Sequence, residues 1–239
     1  MSFIWHGIRS AVHVLLHPNH DLVVVVDATL QVALFSTLFA LAIGLPISLA
    51  LALGRLPGRR FLLALANAGL GLPPVVIGLI VSLLLFRGAP LGGLHLIYTL
   101  RGVVLVQTVL ALPVVVALSA SALQAVPAAL LDQARALGAS RGRVAALALR
   151  EARIGVLAAT IAALGSALAE VGAVVLVGGN IQGQTATLAS AVLVQVYAGN
   201  YGFAIALGIL LLGIIFLLSA ALTVAQQHDA RWVIGRRPS

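Results

Sequence analysis

The sequence predicts an all-α polytopic membrane protein with about five transmembrane helices, and three observations carry that expectation. Of its 239 residues, 62% are hydrophobic and only 8% charged, where a soluble domain is nearer half apolar and a quarter charged. The mean hydropathy is +1.15. The basic residues are all arginines, and they fall in the gaps between apolar runs. So few charges cannot cover a surface in water, so lipid is the solvent the chain is built for.

The elements follow in order. Over residues 1–21, Ile4, Ile8, Ala11, Val12 and Leu15 recur at helical spacing, with Arg9, His13 and His17 on another side. This predicts a helix lying in the interface with Trp5 as anchor. Its histidines form a polar face rather than a metal site, because no carboxylate accompanies them. No basic n-region or small-residue cleavage site marks a signal peptide. The first span runs from about Leu22 or Asp27 to Gly54, with a kink expected at Pro46. A basic turn, Arg55 to Arg60, leads to the second span, Phe61–Phe86. That span contains Gly71-Leu72-Pro73-Pro74, and two consecutive prolines predict a discontinuous helix. Broken backbone at membrane depth is tolerated only against protein or a water-filled path, so Pro73 and Pro74 mark either a packing kink or a pathway.

After a Gly- and Pro-containing loop, the third span covers Gly102 to about Leu123, with Gln107 and Pro113 inside. Residues 127–153 are helical in pattern but carry Asp132, Arg135, Arg141, Arg143, Arg150, Glu151 and Arg153, so they cannot lie in hydrocarbon. The fourth span is Ile154–Val177 and includes Glu170. A turn-rich loop at 178–184 is followed by an apolar stretch, Thr185–Val196, too short to cross, for which a re-entrant or interfacial helix is expected. The fifth span is Phe203 to about Ala225, and 227–239 form a basic tail. The domain plan is thus an interfacial helix (1–21), a transmembrane domain (22–226) with a charged loop (124–153), and a tail (227–239).

Arginine placement orients the chain. One set of loops holds Arg55, Arg59 and Arg60, then Arg135 through Arg153, then Arg231, Arg236 and Arg237; the other holds Arg9, Arg87 and Arg101. The first set is expected in the cytoplasm, together with the C-terminus, and the N-terminus outside. Nucleic-acid binding is not expected from these charges, which the positive-inside pattern explains.

The cytoplasmic loop reads as a short helix with an apolar face at Ala128, Leu131, Ala134 and Leu137, a left-handed cap at Gly138, and a second helix from Arg141. Its segment Asp132-Gln133-Ala134, three residues, then Gly138-Ala139, resembles the EAA loop of ABC importer permeases. Asp132 stands where that family has Glu and Gln133 where it has Ala, and the family's Ile-x-Leu-Pro ending is replaced by Leu147-Ala148-Leu149-Arg150-Glu151. The runs Leu149–Arg153, Ala169–Val174 and Val177–Ile181, with Gly71–Leu79, resemble the tungstate-type branch of those type I importer permeases. The resemblance spans nearly the whole chain.

The resemblance implies a homodimeric permease in the cytoplasmic membrane of a prokaryote, importing tungstate by alternating access. It implies as partners two ABC ATPase subunits, which carry the ATP and Mg, and an extracytoplasmic substrate-binding protein. It also implies a docking surface at Asp132, Gln133, Ala134, Leu137, Gly138, Ala139 and Arg141. Molybdate, sulfate or another solute is the alternative cargo. No cofactor is expected on this chain and no enzyme activity: it has no lysine, hence no Gly-x-x-x-x-Gly-Lys phosphate loop. Glu170, the one carboxylate inside a span, is either a helix–helix hydrogen-bonding group or a gate element. Gly178, Gly179 and Asn180 form a tight turn or a cradle of backbone N–H groups for an anion. A secondary transporter or channel would need paired repeats or several intramembrane charges. A membrane enzyme would need a nucleophile–base pair or clustered ligands within the spans. Neither is visible.

Overall fold

The computed structural model describes residues 20–54 and 56–234, so the interfacial helix expected over 1–21, with Trp5 and the first histidines, falls outside them except for His20 and Asp21. Among the described residues every regular element is helical. Helix α1 spans His20–Leu53, continuous through Pro46. Asp21 in its first turn suits the positive end of the helix dipole. Helix α2 (Arg59–Gly69) and α3 (Pro74–Leu85) follow, then a 3₁₀ turn at Gly92–Leu94, and α4 (Leu100–Gln124), which runs through Pro113. Helices α5 (Ala128–Ala136) and α6 (Arg141–Glu151) form a knob, followed by α7 (Arg153–Ala169), α8 (Gly172–Gly178), α9 (Leu188–Tyr197) and α10 (Tyr201–Ile234).

Helices α1, α4 and α10 are each long and apolar enough to cross a membrane, and bent helix pairs raise the total to as many as five crossings. Two spans differ from the sequence expectation. The second is more than interrupted: α2 and α3 meet at 103°, because Pro73 serves as N-cap and Pro74 as first residue of α3, where a missing N–H costs nothing. Twelve residues of α3 rise about 18 Å, roughly half the membrane's thickness. The fourth span, read as one helix over 154–177, is two: α7 ends at Glu170, which is extended (φ −77°, ψ 132°), and α8 begins at Gly172. The last helix also runs further than the expected end of the fifth span, so the tail's first residues, to Ile234, are helical.

The core is a string of small clusters along α1 and α4, which lie side by side. Val32, Val103 and Val174 pack in one layer; Ala40, Ala111, Val115 and Ala163 in the next. Alanine and serine at these contacts let backbones approach closely, which is how helices associate where lipid removes the hydrophobic drive. Ser48 Oγ donates to Gly44 O at 2.7 Å and reaches Val116 O across the α1–α4 seam at 3.3 Å. At the C-terminal end of α1, Arg59 folds back to donate to the carbonyls of Leu51 and Ala52, satisfying the orphan acceptors of the helix. The short apolar helix α9 carries a Thr187–Ser190 capping box, and Leu188 N–H donates to Thr29 Oγ1 on α1 at 2.8 Å.

Candidate docking knob and paired helix breaks

The knob is held from above by one side chain and offers another below. Leu131 of α5 is buried with Leu123, Val126, Val144, Ala148 and Ala152. Leu137, two turns on at the end of the same helix, is 89% exposed. The apolar stripe expected on α5 is therefore divided: Leu131 anchors the helix to the core and Leu137 points away from it. The six-residue spacing sets the two leucines about 120° apart around the helix, and Gly138 ends it. It sits at φ +83°, its N–H donates to Arg135 O, and the N–H of Ala139 donates to Ala134 O, both at 2.9 Å. That pair of bonds is a Schellman end. It turns the chain sharply and leaves Leu137 on the rim. Ser140 then caps α6 by accepting from Arg143 N–H.

Of the other expected docking residues, Asp132, Gln133 and Arg141 are exposed, while Ala134 and Ala139 are half-buried against the core. Asp132 is engaged by Arg135 at 2.5 Å, an exposed i,i+3 pair that orders the side chain more than it stabilises the fold.

The second feature is a pair of helix breaks, with Pro73 exposed and Glu170 half-buried. The break between α2 and α3 and the break between α7 and α8 stand at the same level. Gly172 lies against Val75, and a Cβ at Gly78 would stand 2.6 Å from Ala173 Cα. Helices α3 and α8 thus touch backbone to backbone just beyond both breaks. Glu170 caps the second one: its Oε1 accepts from Ala173 N–H at 3.0 Å, meeting one of the orphan donors of α8 and setting a carboxylate at its positive end. Gln107 belongs to the same level. It lies between Val103 and Ala111 on one stripe of α4, is 1% exposed, and its Nε2 has no protein partner. Replacing Glu170 with Ala is expected to lower stability by about 1 kcal/mol, the usual worth of such a cap, while Glu170→Gln, which keeps an acceptor, loses less; thermal unfolding in detergent measures both.

The Gly178-Gly179-Asn180 turn ends α8. Gly179 (φ +71°) donates its N–H to Val175 O, Ile181 N–H goes to Thr185 Oγ1, and Gly178 O accepts from the same hydroxyl at 2.6 Å. Two of the turn's N–H groups are thereby committed to internal acceptors at the carbonyl end of a helix. No cluster of three or more His, Asp or Glu suited to a metal occurs among the described residues.

Comparison with known proteins decides what kind of bundle this is. The profile of the family described as binding-protein-dependent transport system inner membrane component matches residues 34–228. The chain belongs to this family. Similar relatives are a probable anion ABC transporter permease protein of Haloferax volcanii, 41% identical over 83% of this chain and 88% of the relative, and the tungstate uptake system permease protein TupB of Peptoclostridium acidaminophilum, 28% identical over 95% of this chain and all of the relative. The molybdenum transport system permease protein ModB of Escherichia coli is 31% identical over 74% of this chain and 81% of the relative. A structure of the inward-facing MetNI methionine ABC transporter superposes with a TM-score of 0.64, covering 89% of this chain and 95% of that one at 22% identity, which shows a shared fold. The protein is thus a multi-pass membrane permease of the ABC importer class, of the oxyanion type.

Sequence reasoning missed the α7–α8 break and the contact between the half-helices α3 and α8. The signal available was Glu170-Val171-Gly172, a carboxylate followed two residues on by glycine, the composition of a helix start inside an apolar run.

Proposed function

We propose that this permease carries tungstate inward, as a homodimer driven by two ATPase subunits docked on the α5–α6 knobs and fed by a binding protein on the opposite face. The observation that carries the coupling is Leu137: an apolar side chain almost wholly exposed in water, at the tip of a rigid knob whose own core is complete without it. An exposed large apolar group on a polar rim fits a partner's groove. The knob's arginines favour the cytoplasmic side for it by the positive-inside rule, with the C-terminus on the same side.

In this reading ATP-driven closure of the ATPases draws the two knobs together. Leu131 and its neighbours transmit the displacement to the inner ends of α1 and α4, because that cluster joins all three elements. The paired breaks let α3 and α8 tilt relative to the rest, so Pro73, Pro74 and Glu170 act as joints of the pathway, and the Gly178–Asn180 turn serves as the outer stop of α8. The TupB relatives, similar over 95% and 92% of this chain, favour tungstate as cargo.

The test is uptake into proteoliposomes holding the permease with its cognate ATPase and binding protein, with labelled tungstate in competition with molybdate and sulfate. Uptake is expected to need all three components and to be suppressed least by sulfate. Preference for molybdate would keep the importer and change its cargo; flux without the ATPase would remove the coupling claim.

A further inference from the structure

A basic recess opens where the inner end of α1 meets the knob, with a volume of about 850 Å³. Leu49, Ala50 and Leu53 of α1 form its apolar wall, and Arg135 and Arg141 line the polar side together with Asp132. A second hollow of about 330 Å³ adjoins it, sharing Leu53 and Arg135, and adds Arg59 and the α4 end at Leu123. Two guanidinium groups and one carboxylate line the larger recess, and a third guanidinium, that of Arg59, lines the adjoining hollow. That carboxylate is held by Arg135, and no ion pair to Arg59 or Arg141 is found among the described residues. Arg59 is fixed in place by the α1 carbonyls it caps.

We propose that this recess binds the phosphate of an anionic phospholipid, with the diester on Arg141 and Arg135 and the glycerol and upper acyl carbons along Leu49 and Leu53. The chemistry asked for is a tetrahedral oxyanion carrying an apolar body. Guanidinium forks match the first part. The wall supplied by the last turns of α1, at the depth where a span leaves hydrocarbon, matches the second; a free oxyanion would gain nothing from it. Basic pockets at the inner ends of spans take such head groups. Bound there, the lipid would brace the knob against α1, on the face away from Leu137. The inference takes the cytoplasmic placement of the knob from the proposed orientation, but the pocket's occupancy is measured independently of transport.

The experiment uses the full chain purified in mild detergent, titrated with phosphatidylglycerol, phosphatidylcholine, and separately with inorganic phosphate and tungstate, and read by native mass spectrometry and by thermal unfolding. Phosphatidylglycerol is expected to be retained and to raise the unfolding temperature. Arg141→Gln should weaken retention about fivefold, the worth of one surface arginine toward anionic lipid, and Ala145→Leu, which fills the recess without touching charge, should weaken it as well. Equal retention of phosphatidylcholine, or unchanged retention in both variants, overturns the proposal. Stabilisation by free phosphate or tungstate, lost in Arg141→Gln, with none by phosphatidylglycerol, overturns the lipid assignment.

Discussion

Leu137→Asp is expected to abolish ATP-driven uptake while leaving the protein inserted and folded. Leu137 is 89% exposed and makes no contribution to the cluster around Leu131, so its replacement costs the isolated permease almost nothing. Docked in an apolar groove, a leucine side chain contributes about 1.5–3 kcal/mol, and a carboxylate in its place adds an uncompensated desolvation. Together these weaken the ATPase contact by at least about a hundredfold. Pull-down of the ATPase by detergent-solubilised permease measures it, with the elution volume of the permease alone as the folding control. Full retention of the ATPase by the variant would remove Leu137 from the docking surface. Leu131→Asp gives the contrasting result: it places a charge in the knob's own core and should destabilise the permease before any partner is added.

The second large effect is expected at Gly78. A Cβ there would stand 2.6 Å from Ala173 Cα and 2.9 Å from Ala173 Cβ. Because the nearest atom is backbone, no side-chain rotation relieves the clash, and α3 must part from α8. Overpacking of this kind costs about 1–3 kcal/mol for a small group, so Gly78→Ala is expected to lower the unfolding temperature by several degrees and Gly78→Leu to leave little folded protein. Gly165→Ala is the control. It also lies inside a helix, but an added Cβ meets nothing within 4 Å, so the change should be neutral or stabilising by up to about 1 kcal/mol. If Gly78→Ala behaves like Gly165→Ala, the α3–α8 contact is looser than described and the two half-helices do not move as a unit.

These two positions show what the sequence made legible and what it hid. The spans at α1, α4 and α10 are continuous apolar runs, and hydropathy alone marks them. The knob was visible because its charges exclude it from hydrocarbon and because Gly138 follows a short helical pattern. Its left-handed backbone is what that glycine allows. The division of labour between Leu131 and Leu137 was not visible. Both are leucines of one short helix, but six residues at about 100° each set them about 120° apart around it, and only the position of the core says which one is buried. The Pro73-Pro74 break announced itself because two consecutive prolines remove adjacent donors, whereas the single Pro46 and Pro113 leave α1 and α4 continuous. The break at Glu170 did not, because an apolar stretch of the right length reads as one helix until a side chain is seen capping a new start. The likeness in level of the two breaks is a tertiary property, fixed by glycine contacts between segments nearly a hundred residues apart.

ATP coupling requires the two knobs to move together when nucleotide binds, and that motion is directly measurable. The chain has no cysteine, so Gly142→Cys, at an exposed position where an added Cβ meets nothing within 4 Å, gives one spin label per copy. In the assembled transporter, double electron–electron resonance is expected to show a single label–label distance that shortens when ATP is trapped and lengthens when it is released. A pair distance indifferent to nucleotide in a complex that still transports, or no pair distance at all, would contradict the dimeric, ATP-coupled mechanism.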